Sequence, residues 1–178
     1  MRKIVLTFGL IAGAIMSLVM IVSFAFPNQI GFHSGYIVGY TSMVIAFLMV
    51  YFGVRAYRDN VAGGRIGFGR AFTVGLLITA VATVCYVATW EVIFYKVTPD
   101  FADKYAAYAV DKVRQSGATE AQIAAKAKQM AEFKEAYKNP LVNIAYTILE
   151  PLPVGIVFTL VTAGVLGRKR RQEGVAAA

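Results

Sequence analysis

Four long apolar windows, at about residues 4–26, 36–54, 71–95 and 141–167, limit this chain more than any other feature. Each is near the ~20 residues that a helix needs to cross a bilayer. The chain is therefore read as a single integral membrane domain over residues 1–178, all-α, with four transmembrane helices. The balance of residue types agrees, because 58% are hydrophobic and 16% charged, against ~25% charged in soluble domains. Membrane insertion removes most soluble-enzyme readings at once.

The net charge of +8 would suit nucleic acid, but its placement argues against such a partner. The basic residues gather beside the ends of the apolar windows, where they act as a topology signal. Arg2 and Lys3 precede the first window. Arg55, Arg58, Arg65 and Arg70 fill the second link, and Arg168, Lys169, Arg170 and Arg171 follow the fourth window. The first link, 27–35, has no Lys or Arg, and the third, 96–140, is nearly balanced with eight basic and six acidic residues. The positive-inside rule then predicts cytoplasmic termini, a cytoplasmic 55–70 link and two outward links. Cys85, the only cysteine, lies inside an apolar window and permits no internal disulfide.

Ser23-Phe24-Ala25 resembles a cleavage site, yet the apolar run before it exceeds the ~7–15 residues of a signal-peptide core. The first window is expected to remain as a span. Its ridge of Gly9, Gly13 and Ser17 predicts packing against another helix. Gly35 and Gly39 make a second Gly-x-x-x-Gly, expected to serve helix packing rather than a defined dimer. Tyr51, Phe52 and Tyr57 gather at the inner interface, and Tyr86, Trp90, Phe94 and Tyr95 at the outer one.

The link from Tyr57 to Arg70 is rich in glycine and arginine, but no Gly-Lys-Ser/Thr ending follows a strand, so it is not a P-loop. It reads as a tight turn. Arg55, Arg58, Arg65 and Arg70 are candidates for anionic headgroup binding, with Ile66 and Phe68 dipping into the interface.

The 96–140 link is patterned. Phe101, Tyr105 and Tyr108 share one helical face. Ser116-Gly117 breaks the pattern, and Thr119-Glu120-Ala121-Gln122 has the form of a capping box opening a second helix. That helix carries Ile123, Ala127, Met130, Phe133 or Lys134, and Tyr137 on one stripe. The expected product is an extracytoplasmic amphipathic helical hairpin at about residues 99–138, between the third and fourth spans and too charged to cross a membrane. Its aromatic stripes need cover from each other, the membrane surface or a partner.

Two acids, Glu91 and Glu150, fall inside apolar windows. They lie ~32 and ~27 Å from the inner anchors Arg70 and Arg168 at 1.5 Å per residue, near the outer interface. Intramembrane ionisable groups are functional candidates by default. The functional reading has both facing one outward cavity, with His33 from the first link. The structural reading has each reaching water or headgroups, with Lys96 as counter-ion to Glu91. Pro151 and Pro153 follow Glu150 and remove two backbone donors. Either the fourth span kinks there, or its helix starts at Pro151 with Glu150 as cap. One His and one Cys far apart give no metal spacing, and no nucleophile triad can be assembled. No enzyme activity and no cofactor are expected.

Tyr57-Arg58-Asp59 with Gly63-Gly64-x-Ile66-x-Phe68-Gly69-x-Ala71-Phe72 resembles domain-of-unknown-function family 4199. So do Pro99-Asp100-Phe101, Tyr137-x-Asn139-Pro140 and Glu150-Pro151-x-Pro153-Val154-Gly155. The resemblance covers nearly the whole chain and implies a four-span protein of the bacterial cytoplasmic membrane. It implies no activity. The leading expectation is an interaction or scaffold protein, presenting residues 99–138 to an envelope partner. The alternative is a small transporter or lipid-handling protein that uses Glu91 and Glu150 and, having few helices, works as a homo-oligomer. Membrane lipids are partners in either case.

Overall fold

The computed structural model describes residues 1–26 and 32–167, the side chains from residue 34 onward in the second stretch. The basic residues 168–171 lie outside the described residues. The elements are α1 (Arg2–Ala25), α2 (Phe32–Asn60), α3 (Phe68–Lys96), α4 (Phe101–Gln115), α5 (Glu120–Tyr137), α6 (Pro140–Leu149) and α7 (Pro151–Leu166). No strand occurs among the described residues. Four helical stretches are long and apolar enough to cross a membrane: Arg2–Ala25, Ser34–Asn60, Phe68–Lys96 and Pro140–Leu166. Their outer surfaces are apolar, with Leu18, Ile37, Val84, Val92, Val157 and Val161 among many exposed side chains. Exposed aliphatic side chains on each of these four stretches are what a lipid solvent favours.

Helices α1 and α3 run parallel, and the small residues of α1 make their contact. Gly9 lies against Val81 and Gly13 against Cys85, so close that an added Cβ would sit 2.6 and 2.5 Å from the opposing Cβ atoms. One turn further on, Ser17 accepts a hydrogen bond from Thr89 Oγ1 at 2.7 Å. The three pairs advance in step along both helices, so the ridge read from the sequence is a packing seam. Gly39 of the second glycine motif makes no such contact among the described residues, since a Cβ there would meet nothing within 4 Å.

Helix α7 packs antiparallel on α3 through a second set of small residues. Gly75 faces Thr159 and Val50, while Gly155 faces Thr79 and Phe47. Between them the Thr79 and Thr159 hydroxyls share a buried hydrogen bond of 3.3 Å. Phe47, Val50, Val54, Val74 and Ile78 fill the centre, each essentially closed to solvent. At the arginine end, Gly63 and Gly64 take φ of +64° and +82°, a region that non-glycine residues rarely adopt. This turn leads into α3. Ile66 is buried in the core rather than set into the interface, whereas Phe68 is exposed and stacks on Phe72.

Helices α4 and α5 form the expected hairpin. Gly117 turns the chain with φ +76°. Thr119 then closes the capping box: its Oγ1 accepts from the Gln122 N–H and its own N–H donates to Gln122 Oε1 at 2.9 Å. Asn139 caps α6 by accepting from the Leu141 N–H at 3.0 Å, and Pro140 takes the first helical position.

The hairpin's aromatic stripe turns onto the bundle. Phe101 packs edge-on to Trp90 with centroids 4.7 Å apart, and Phe24 of α1 packs against both rings. Tyr137 meets Phe94, and Phe133 meets Tyr146 of α6. No large apolar side chain of α4 or α5 remains among the exposed ones.

Candidate functional site

Glu150 stays in helical geometry, with φ −73° and ψ −58°. Helix α7 begins at Pro151 with Glu150 in the N-cap position, as one of the two readings had it, but the Glu150 side chain makes no cap hydrogen bond and the backbone is not broken there. The chain instead continues from α6 to α7 through a helical residue, although Pro151 and Pro153 withdraw the N–H groups that would have bonded the carbonyls of Thr147 and Leu149. Pro151 is fully buried and Pro153 exposed. With no backbone task, the Glu150 carboxylate turns to α3 and accepts the phenolic hydrogen of Tyr86 at 2.7 Å.

Tyr86 lies 18 residues beyond the start of α3 and Glu150 lies 16 residues before the end of α7. Both are therefore ~24–27 Å from the arginine end, in the layer just below the hairpin. Glu150 is exposed on the bundle surface. Of the phenols on this side, Tyr86 bonds the carboxylate directly, and Tyr36 and Tyr137 feel its charge. Tyr36 ties this wall to the hairpin by donating to the Tyr105 hydroxyl at 2.9 Å.

Behind this wall is a closed polar pair. Trp90 Nε1 donates to Asn143 Oδ1 at 2.9 Å, and Asn143 is fully buried. Thr147 Oγ1 donates to the Asn143 carbonyl at 2.9 Å, while Asn143 Nδ2 has no partner. Burial lifts the neighbouring Tyr137 phenol to about 12, against the smaller opposing effect of hydrogen bonding to Thr147 and Trp90.

The two glutamates leave α3 and the α6–α7 step without a direct bond between them among the described residues. Glu91 is five residues beyond Tyr86 on α3, roughly 140° around the helix. Val84 and Tyr95, on its side of α3, are exposed. No hydrogen bond or ion pair joins Glu91 to Glu150 or to Lys96 among the described residues, and Glu91 Oε1 is buried without a partner. Both acids nonetheless act on one group, since each raises the Tyr137 phenol. His33 falls in the first turn of α2, and its side chain lies outside the described residues.

At the arginine end, Asp59 takes up two of the four candidate arginines. Arg58 Nε lies 2.7 Å from Asp59 Oδ1, and Arg55 Nε 3.6 Å from Oδ2. Arg65 and Arg70 are exposed and make no ion pair among the described residues. They are the two left free to meet an anion. No group of three metal-ligating side chains occurs among the described residues.

Four apolar helices long enough to cross a bilayer, joined by polar links and closed at one end by a helical hairpin, define an integral multi-pass membrane protein. The family follows from the match. Residues 7–168 fit the family described as Protein of unknown function (DUF4199), and the chain belongs to it. No curated protein and no solved structure matches the chain.

The site residues that sequence reasoning missed are Asn143, Tyr36 and Tyr40. Asn143 is the one amide side chain in the fourth apolar window, and that was the available signal. Tyr86 was legible as an interface aromatic, without its partner.

Proposed function

We propose that this protein is a non-enzymatic binding protein of the bacterial cytoplasmic membrane, one that holds a lipid or another amphipathic ligand at its hairpin end. Both termini and the 55–70 link face the cytoplasm, and the hairpin faces outward, as the distribution of arginine and lysine favours. The observation that carries the reading is the Tyr86–Glu150 pair. It is a carboxylate exposed at headgroup depth whose protein partner is a neutral phenol. An ionisable group held there without a counter-ion is costly unless it serves a task.

The scaffold reading rested on an aromatic stripe in need of cover, and the bundle itself supplies that cover. What favours a partner now is a shallow groove of 380 Å³ between α4 and α5, floored by alanines, Val110 and Met130 and bridged by the Lys134–Asp103 ion pair.

The test is purification of the full chain in mild detergent, with native mass spectrometry of retained molecules, for the wild type and for Glu150→Gln. A lipid retained by the wild type and lost in the variant supports the proposal. A protein crosslinked stoichiometrically through residues 104–138, with no retained lipid, replaces it with the scaffold reading. Topology is checked in a Cys85→Ser background. A cysteine at Ala118 is expected to react with an impermeant maleimide on intact cells, and one at Ala62 only after lysis.

A further inference from the structure

We infer that a water molecule is bound inside the bundle where proline interrupts the backbone hydrogen bonding between α6 and α7, held by the Thr83 hydroxyl, the Thr147 carbonyl and the Tyr86 phenol. The first observation is Thr83 itself. It is only 6% exposed, and its hydroxyl has no hydrogen-bond partner among the described residues. A helical threonine can turn its hydroxyl to the carbonyl four residues back, as Thr73, Thr89 and Thr147 do here. Thr83 does not, which leaves its donor for another acceptor.

The packing register supplies that acceptor. Gly75 faces Thr159, and Gly155 faces Thr79, so a step of four along α3 matches a step of four back along α7. One further step sets Thr83 across from Pro151, which is fully buried. Pro151 has no N–H, so the Thr147 carbonyl, four residues back on the same helix face, loses its backbone donor. A buried donor and a freed acceptor thus share one level of one interface, and no direct bond joins them. In a lipid solvent, carbonyls freed by proline are satisfied again by neighbouring Ser or Thr side chains and by ordered water.

The Tyr86 hydroxyl completes the set. Its hydrogen goes to Glu150, its oxygen can still accept, and a helical side chain leans over the turn before it, here toward Thr83. The water accepts from Thr83 and donates to the Thr147 carbonyl and the Tyr86 oxygen, and about three such bonds are usual for a buried water. Glu150, exposed and next in the chain to Pro151, gives the water a way in. Pro153 makes no second site, because it is exposed and the carbonyl that it frees, at Leu149, lies on that exposed side. The site is independent of whatever ligand Glu150 takes.

The experiment pulses the full chain in nanodiscs with X-rays, which oxidise side chains beside bound water, and locates the added oxygen by peptide mass spectrometry. Pro151 is closed to bulk solvent, so its oxidation reports a water held next to it. Oxidation at Pro151 is expected in the wild type and in Thr83→Ser, which keeps the hydroxyl. It is expected to be lost in Thr83→Val, which keeps the volume. No oxidation of Pro151 in the wild type, or oxidation that persists in Thr83→Val, overturns the inference.

Melting temperature tests the carbonyl separately. Thr83→Val should lower it by about 2–4 °C in the wild type and leave it unchanged in Pro151→Ala, whose restored N–H satisfies Thr147. A rise on Thr83→Val is what a hydroxyl merely buried without a partner would give, and it overturns the inference. An equal fall in both backgrounds does the same. Should Pro151→Ala fail to fold, the labelling decides alone.

Discussion

Trp90 and Asn143, on helices that meet only at the hairpin end, share a hydrogen bond of 2.9 Å in a place closed to solvent. The indole has no alternative acceptor in water, so the bond helps to fix how α6 sits on α3. Asn143→Ala would leave the Trp90 N–H buried and unpaired, at a cost of about 1–3 kcal/mol. The expected outcome is a lower melting temperature in detergent together with a blue-shifted Trp90 emission. An unchanged spectrum would show that the indole does not depend on the amide.

Gly155 and Gly164 lie on the same helix with opposite surroundings. A Cβ on Gly155 would overlap Thr79 and crowd Phe47, whereas one on Gly164 meets nothing within 4 Å. Gly155→Ala is expected to destabilise the bundle by about 1–3 kcal/mol through overpacking. Gly164→Ala should be neutral or stabilise by up to ~1 kcal/mol through helix propensity. Thermal denaturation of the pair in one detergent checks the contrast, and equal effects would contradict the packing described.

Tyr137 gives the hairpin end a pH dependence at the alkaline side. Its phenol is pushed up to about 12 by burial, against about 10 in an unfolded chain. Between those values the unfolded chain releases the proton first, so the unfolded state binds fewer protons and stability falls as pH rises. The contribution is intact below about pH 10 and is lost as pH approaches 12. Tyrosinate absorbance compared between wild type and Tyr137→Phe should isolate one late-titrating phenol. Absence of a late component in that difference would count against the burial of Tyr137.

The Tyr36–Tyr105 hydrogen bond ties α2 to the hairpin in an exposed position. Tyr36→Phe is expected to cost only ~0.5–1.5 kcal/mol, so the bundle should remain folded. The effect should appear locally, as faster amide hydrogen exchange across α4 with α1 and α3 unchanged. Uniform acceleration in every helix would mean that the tyrosine supports the whole fold.

The spans, the hairpin and its caps were legible because they depend on local rules: apolar length, a glycine stop, a Thr-x-x-Gln box. The Gly9–Gly13–Ser17 ridge was legible as well, since small residues one turn apart mark where another helix can approach. What the sequence could not carry was azimuth. Glu91 and Glu150 share a depth, and depth can be counted along a helix, but the side on which each faces depends on tertiary packing. The Glu150-Pro151 step stayed open between two readings for a related reason. Proline disfavours helical geometry in the residue before it, yet the buried Pro151 and the Tyr86 hydrogen bond hold that residue helical. Several motif residues of the family have structural tasks: Asn139 caps, Gly155 lets α7 approach α3, and Ile66 closes the arginine end.

The parallel seam between α1 and α3 bears on the order of assembly during synthesis. Helix α1 leaves the ribosome before the surface that its glycines fit exists. Until α3 has entered the bilayer, Gly9 and Gly13 can face only lipid or α2. Docking of the first helix is therefore a late step, completed when a helix two places downstream arrives. A nascent chain halted before residue 81 would hold its first two helices without the contact that locks them.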